Sequence, residues 1–240
     1  MFPISDDNPR LRIDKPYVLW GIMAVCVFMF LMQVSGGPVF TQRLSIGLGV
    51  IPAVLTGHAE LRPDLAIVPV WATLLTSMFL HGGLLHLFGN MLFLAIFGDN
   101  IEDAMGHLRF LLFYLICGVA AALTHVVVAP EAPQPMIGAS GAVSGVLGAY
   151  LVLYPRAWVT ILLVWLPLVV PAWILLGLWF GFQVLAALGG AAAGVAWWAH
   201  VGGFIAGAVL VVVFRHKTVP LGGGSHYPKG IRLRDRRGRR

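Results

Sequence analysis

From Ala157 to Phe214 the chain reads AWVTILLVWLPLVVPAWILLGLWFGFQVLAALGGAAAGVAWWAHVGGFIAGAVLVVVF, 58 consecutive residues without Lys, Arg, Asp or Glu. As one helix this stretch would be about 87 Å long, roughly three times the hydrocarbon thickness of a bilayer, so it must turn back on itself. The small-residue segment Leu188–Gly194 is the natural break. It divides the run into one span near Pro171–Ala187 and another near Gly194–Phe214. Residues ahead of Pro171, including Pro167, are expected to lie along the interface rather than cross.

The rest of the chain has the same character. Of its 240 residues 59% are hydrophobic and 11% are charged, against about 25% charged in an ordinary soluble domain. A soluble globule of this length could not hide that much apolar surface, and a disordered chain would not carry it. Working back toward the N-terminus, Met136–Tyr154, Phe110–Ala129, Leu80–Phe97 and Tyr17–Val34 are further charge-free runs. Leu44–Leu55, inside the Pro-interrupted segment Phe40–Pro69, is too short to cross and reads as a partly embedded loop. The expected fold class is therefore an all-α membrane protein of six spans. Residues 1–16 form an N-terminal flank, 17–214 the membrane domain and 215–240 a basic tail.

Six spans leave both termini on one side. With that side cytoplasmic, Arg10, Arg12, Lys15, Arg109, Arg156 and the nine Lys and Arg of the tail all lie inside, 14 of the 16 basic residues, leaving only Arg43 and Arg62 outside. The positive-inside rule favours this orientation. The tail reads as a topology signal or lipid-headgroup contact, not as a nucleic-acid site. Cys26 and Cys117 sit in apolar runs as small buried hydrophobes, with no disulfide or metal role.

Polar residues inside spans are costly in lipid and mark helix contacts or function. His86 and Asn90 are four apart, on one face of the second span, with His81 near its outer end. Ser140, in Gly138-Ala139-Ser140-Gly141, opens the fourth span after the Pro-rich turn Pro130–Pro135, and His200 lies in the sixth. Counted from the outer ends of their spans, His86 and Asn90 lie about 9–15 Å deep and His200 about 9–12 Å, with Ser140 at a similar depth. Singly, each reads as a packing or interhelical residue. Together they supply a nucleophile, a base and oxyanion donors in one layer. No Asp or Glu falls within the six runs, so a Ser–His dyad is expected in place of a triad. Gly141 and Gly145, and again Gly203 and Gly207, are small residues four apart that let helices touch.

These motifs resemble the rhomboid family of intramembrane serine proteases. The resemblance runs from Trp71 to Gly207: His81-Gly82-(x)3-His86-(x)3-Asn90, Gly98 to Gly106, Gly138-Ala-Ser140-Gly141, and Ala199-His200-(x)2-Gly203-(x)3-Gly207. It implies Ser140 as nucleophile, His200 as general base, His86, Asn90 and the Ser140 amide as the oxyanion hole, and His81 in support. It implies a transmembrane protein as substrate, a lipid bilayer as surroundings, no cofactor and no nucleic acid. Water would reach the site from the outer face, and a bacterial plasma membrane is the expected location. Lateral access between the second and fifth spans would be lined by Trp179 and Gln183. Two positions depart from the family pattern. Trp71 is followed by Ala72 where the family carries Arg, and Ser144 stands where many members place an aromatic against the catalytic His. Ser144 is expected to contact His200 through its hydroxyl.

Two other classes compete. A non-catalytic rhomboid-like protein that binds transmembrane helices would normally lack Ser or His. A transporter would show an inverted repeat, and none is found. The His-Glu-x-x-His of a metalloprotease and the paired membrane aspartates of an aspartyl protease are also missing from the sequence.

Overall fold

The computed structural model describes residues 2–163, 165–190 and 194–223. The basic tail past residue 223, and the middle of the expected break at 188–194, lie outside the described residues. The chain is mostly helical: α1 (Tyr17–Ser35), α2 (Gly37–Leu48), α3 (Pro52–Leu55), α4 (Thr73–Thr76, flanked by 3-10 turns), α5 (Leu84–Met105), α6 (His107–Val128), α7 (Ser140–Leu153), α8 (Ala172–Leu188) and α9 (Trp197–Phe214). Helix is the state in which a charge-free run satisfies its own backbone in lipid. By length and composition α1, α5, α6 and α9 can each cross a membrane. The apolar α7 and α8 are shorter, at 14 and 17 residues.

The helix expected to end near Phe97 continues to Met105 and carries Asp99, Glu102 and Asp103 with it. These carboxylates avoid lipid by turning onto the N-terminal segment. Asp103 accepts the backbone N–H groups of Leu11, Arg12 and Ile13 at 2.7–2.9 Å. Glu102, fully buried, accepts those of Val18 and Leu19 at 3.1 and 2.8 Å. These last two are first-turn donors of α1, which has no side-chain cap of its own after Pro16, so Glu102 caps α1 from a neighbouring helix. Gly106, with φ +81°, then turns the chain directly into α6.

The all-α expectation needs one correction. β1 (Phe2–Asp6), β2 (Trp158–Leu163) and β3 (Leu166–Pro171) form an antiparallel sheet in the order β1-β2-β3. The apolar segment ahead of Pro171 is this β2–β3 hairpin. Its Val, Ile and Thr content suits strands, and cross-strand pairing satisfies a backbone that is too short to span as helix. Asp6, at the end of β1, accepts a hydrogen bond from the Tyr150 hydroxyl of α7.

The centre of the bundle is α7, gripped between α6 and α9. A Cβ at Gly203 or Gly207 would run into the carbonyl of Gly141 or Gly145, and one at Gly148 into that of Phe204. On the other side, a Cβ at Gly141 or Gly145 would sit 2.6 Å from the Cβ of Ala121 or Cys117 in α6. The small residues thus allow the backbones of α7 and α9 to touch. This contact sets the separation between Ser140 and His200.

Candidate active site

Ser140 is the first residue of α7, and the chain leading to it is pinned. Val50 and Met136 exchange two backbone hydrogen bonds of 3.0 and 2.7 Å, and the Gly138 N–H donates to the Ser77 carbonyl at 2.9 Å. Gly138 adopts φ +126°, a conformation that favours glycine. Starting a helix at Ser140 leaves N–H groups of its first turn without intrahelical partners, directed at the space beside the hydroxyl.

The Ser140 hydroxyl lies 2.8 Å from His200 Nε2, a contact between residues 60 apart in sequence on α7 and α9. On the other side of the ring, His200 Nδ1 is 2.8 Å from Gln183 Oε1 of α8. An amide oxygen only accepts, so Nδ1 carries the proton and Nε2 offers its lone pair to Ser140. Trp179 and Trp197 flank the imidazole at ring-centroid distances of 6.3 and 6.0 Å, the first tilted by 33° and the second edge-on at 86°.

His86 comes to the same place from α5. A Cβ on Gly138 would be 2.7 Å from His86 Cε1 and Nε2 and 3.7 Å from Ser140 Oγ, so the His86 ring edge and the serine hydroxyl share the space left open by that glycine. The backbone N–H of Gly82 donates to His86 Nδ1 at 3.3 Å. This leaves Nε2–H as the donor facing the serine side. Asn90, one turn along, is buried and donates to the His86 carbonyl at 3.0 Å.

His81 is 1% exposed and packs edge-on to His86 at 5.2 Å. Its backbone is held on both sides by Gln33 of α1: the His81 N–H donates to Gln33 Oε1 at 3.1 Å, and Gln33 Nε2 donates to the His81 carbonyl at 3.2 Å. Gln33, itself 1% exposed, was not singled out in the sequence. A neutral amide leaves a hydropathy profile unbroken, and the only signal was an amide near the end of an otherwise apolar span.

Gln183, expected beside a lateral opening, is 4% exposed and turned onto His200. One expectation is corrected. Ser144 donates its hydroxyl to the Ser140 carbonyl at 2.6 Å instead of reaching His200, because a serine in a helix readily bonds the carbonyl four residues back. The aromatic contact absent at position 144 is made by Trp179 and Trp197 from other helices.

The assembled groups are a hydroxyl on a neutral imidazole, a second imidazole with its N–H facing the same space, and a helix N-terminus. This set can open an acyl group and hold the oxyanion that forms. The Rhomboid domain profile matches residues 69–217. Rhomboid protease GluP of Bacillus subtilis (strain 168) is 35% identical over 138 residues, 57% of this chain and 24% of that protein. RHOMBOID-like protein 2 of Arabidopsis thaliana is 36% identical over 132 residues, 55% of this chain and 40% of that protein. Inactive rhomboid protein 1 of Drosophila melanogaster is 34% identical over 80 residues, 33% of this chain and 6% of that protein. The chain thus spans less than half the length of these relatives. The profile nevertheless covers well over half of this chain and contains every residue from His81 to His200 described above, and on that match the chain belongs to the rhomboid family.

Proposed function

We propose that this chain is an intramembrane serine endopeptidase that hydrolyses peptide bonds in or beside transmembrane segments of other proteins. The observation that carries the reading is the 2.8 Å contact between Ser140 Oγ and His200 Nε2, made between two helices that glycines bring into backbone contact. In this reading α1, α5, α6, α7, α8 and α9 are six crossings, α2 to α4 form a partly embedded loop, and residues 17–214 are the catalytic domain. Both termini are cytoplasmic, the site opens to the outer face, and the membrane is a bacterial plasma membrane.

The groups that act on the substrate come from the chain, and water is the second reactant. Ser140 Oγ attacks the scissile carbonyl carbon as its proton passes to His200 Nε2. Negative charge forms on the carbonyl oxygen, where the His86 Nε2–H, the Asn90 amide and the backbone N–H of Ser140 act as donors, aided by the N-terminal dipole of α7. Asn90 reaches that role by giving up its bond to the His86 carbonyl. The C–N bond breaks as His200 returns the proton to the leaving nitrogen. Water then gives a proton to His200 as its oxygen bonds the acyl carbon, and His200 passes that proton to Ser140 Oγ as the ester C–O bond breaks, which frees the acid product and restores both side chains. A substrate helix must unwind locally to present a free carbonyl, so Gly, Pro or polar residues at the cut favour cleavage.

The test uses the purified full chain in lipid vesicles with a transmembrane reporter and a fluorophosphonate probe. Wild type cleaves and is labelled, and Ser140→Ala and His200→Ala do neither. A wild type that binds the reporter without cutting it or taking the label would indicate a helix-binding rhomboid-like protein instead.

A further inference from the structure

We infer that Gln183 is the positioning residue of the base: its side-chain carbonyl holds the Nδ1–H of His200, fixes the tautomer that can accept the Ser140 proton, and steadies the imidazolium that results. The inference rests on the catalytic reading of Ser140 and His200 and adds a third member from a third helix.

A neutral imidazole has one N–H and one lone pair. If Nε2 is to accept from Ser140, the proton must sit on Nδ1, and a buried N–H without an acceptor is costly. Gln183 Oε1 lies 2.8 Å from that nitrogen. A carboxylate there would do the same with a full charge, which is expensive to bury among apolar helices. An amide oxygen provides the acceptor dipole without the charge.

Gln183 is itself held in place. It is 4% exposed, and Trp179, four residues before it and so on the same face of α8, lies beside His200, tilted by 33° at a centroid distance of 6.3 Å, and stacks on Phe204 at 6.0 Å. Phe180 stacks on Phe204 as well, at 4.3 Å and 20°. α8 therefore presents to the imidazole both an acceptor for Nδ1 and a neighbouring indole. The orientation of the base depends on how α8 seats against α9, so a change on α8 can alter turnover without touching Ser140.

The test compares wild type, Gln183→Leu and Gln183→Glu in the full chain, measuring kcat and KM against pH with a transmembrane reporter, and thermal unfolding alongside. Gln183→Leu keeps bulk but removes the acceptor: kcat should fall about 100-fold with KM within about twofold. Gln183→Glu keeps an acceptor and adds charge that favours the protonated ring, so it should be more active than the Leu variant and move the acid limb of the profile to higher pH. A Leu variant with wild-type kcat and pH profile overturns the inference. So does a Glu variant that matches the Leu variant in rate and profile, or a loss of kcat that only tracks a fall in unfolding temperature. If wild type cleaves and is labelled at Ser140 while these variants behave alike, this inference fails alone. If wild type does neither, the catalytic reading fails with it.

Discussion

The two ends of α7 are held by opposite chemistry. At its start, Ser140, His200, His86, His81, Gln33 and Gln183 bring uncharged donors and acceptors together from five helices, α1, α5, α7, α8 and α9, and the turn before α5. About 21 Å away along the helix, the other end meets a cluster built on carboxylates. There Asp6 takes the Tyr150 hydroxyl, Asp103 and Glu102 gather five backbone N–H groups, Glu102 also pairs with His107 at 2.5 Å, and Arg10 approaches Asp99 at 3.5 Å. Charge is tolerable at one end and not at the other. Carboxylates can serve as many-armed acceptors near the ends of the helices, whereas within the apolar layer the same ordering is done by amides, which leave no charge to be solvated.

The contrast breaks most sharply at Gly138. A Cβ there meets His86 at 2.7 Å on a backbone with φ +126°. Gly138→Ala should push the His86 ring aside and lower kcat about 100-fold, the scale of a displacement of roughly 1 Å, with the charged cluster untouched. Reporter cleavage together with unfolding temperature checks this; unchanged turnover would mean that His86 has no part in the reaction.

The converse break is Asp103→Ala. It leaves three backbone N–H groups without their acceptor and should cost about 2 kcal/mol of stability, while kcat of the folded fraction stays at the wild-type value. Denaturation and initial-rate measurements on the same preparation separate the two effects. An equal fall in kcat would show the two ends to be coupled through α7.

The third effect is a pH slope confined to the charged end. Burial pushes the Asp6 carboxyl up to about 7, with the Tyr150 hydrogen bond acting the other way. Between the ordinary carboxylate range and that value the folded form keeps a proton that the unfolded chain has lost. This contribution to stability is therefore greatest at low pH, declines as pH rises toward about 7 and is flat beyond. Asp6→Asn cannot titrate, so wild type should lose stability relative to this variant between pH 5 and 7.5. Parallel unfolding temperatures across that range would contradict the assignment.

Much of this was legible in the sequence because lipid imposes simple rules. Charge-free runs became helices, and the small residues at 141, 145, 203 and 207 became the α7–α9 seam. Ser140 and His200 were readable as a pair because both are costly in apolar helices and lie at matching depth. What escaped shows where those rules stop. The 157–171 run is as apolar as a span yet folds as a hairpin, and hydropathy alone does not separate a buried strand from a helix. Asp99, Glu102 and Asp103 lie past Phe97, the expected end of the second span, yet they continue its helix; Glu102 and Asp103 meet backbone N–H groups of residues 11–19, which carry no sequence signal, and Asp99 meets Arg10. Gln33, and the contact of Gln183 with His200, escaped for the same reason: what an amide does lies in the direction it points. Spacing put Gln183 beside Trp179, and only packing turned both onto His200.

The most direct measurement of the central claim is to locate, by peptide mass spectrometry, the residue of the wild-type chain that carries a fluorophosphonate adduct. The adduct should sit on Ser140 alone, be lost in His200→Ala and be retained in Ser144→Ala. An adduct on Ser144 or elsewhere, or labelling of Ser140 that does not depend on His200, would contradict it.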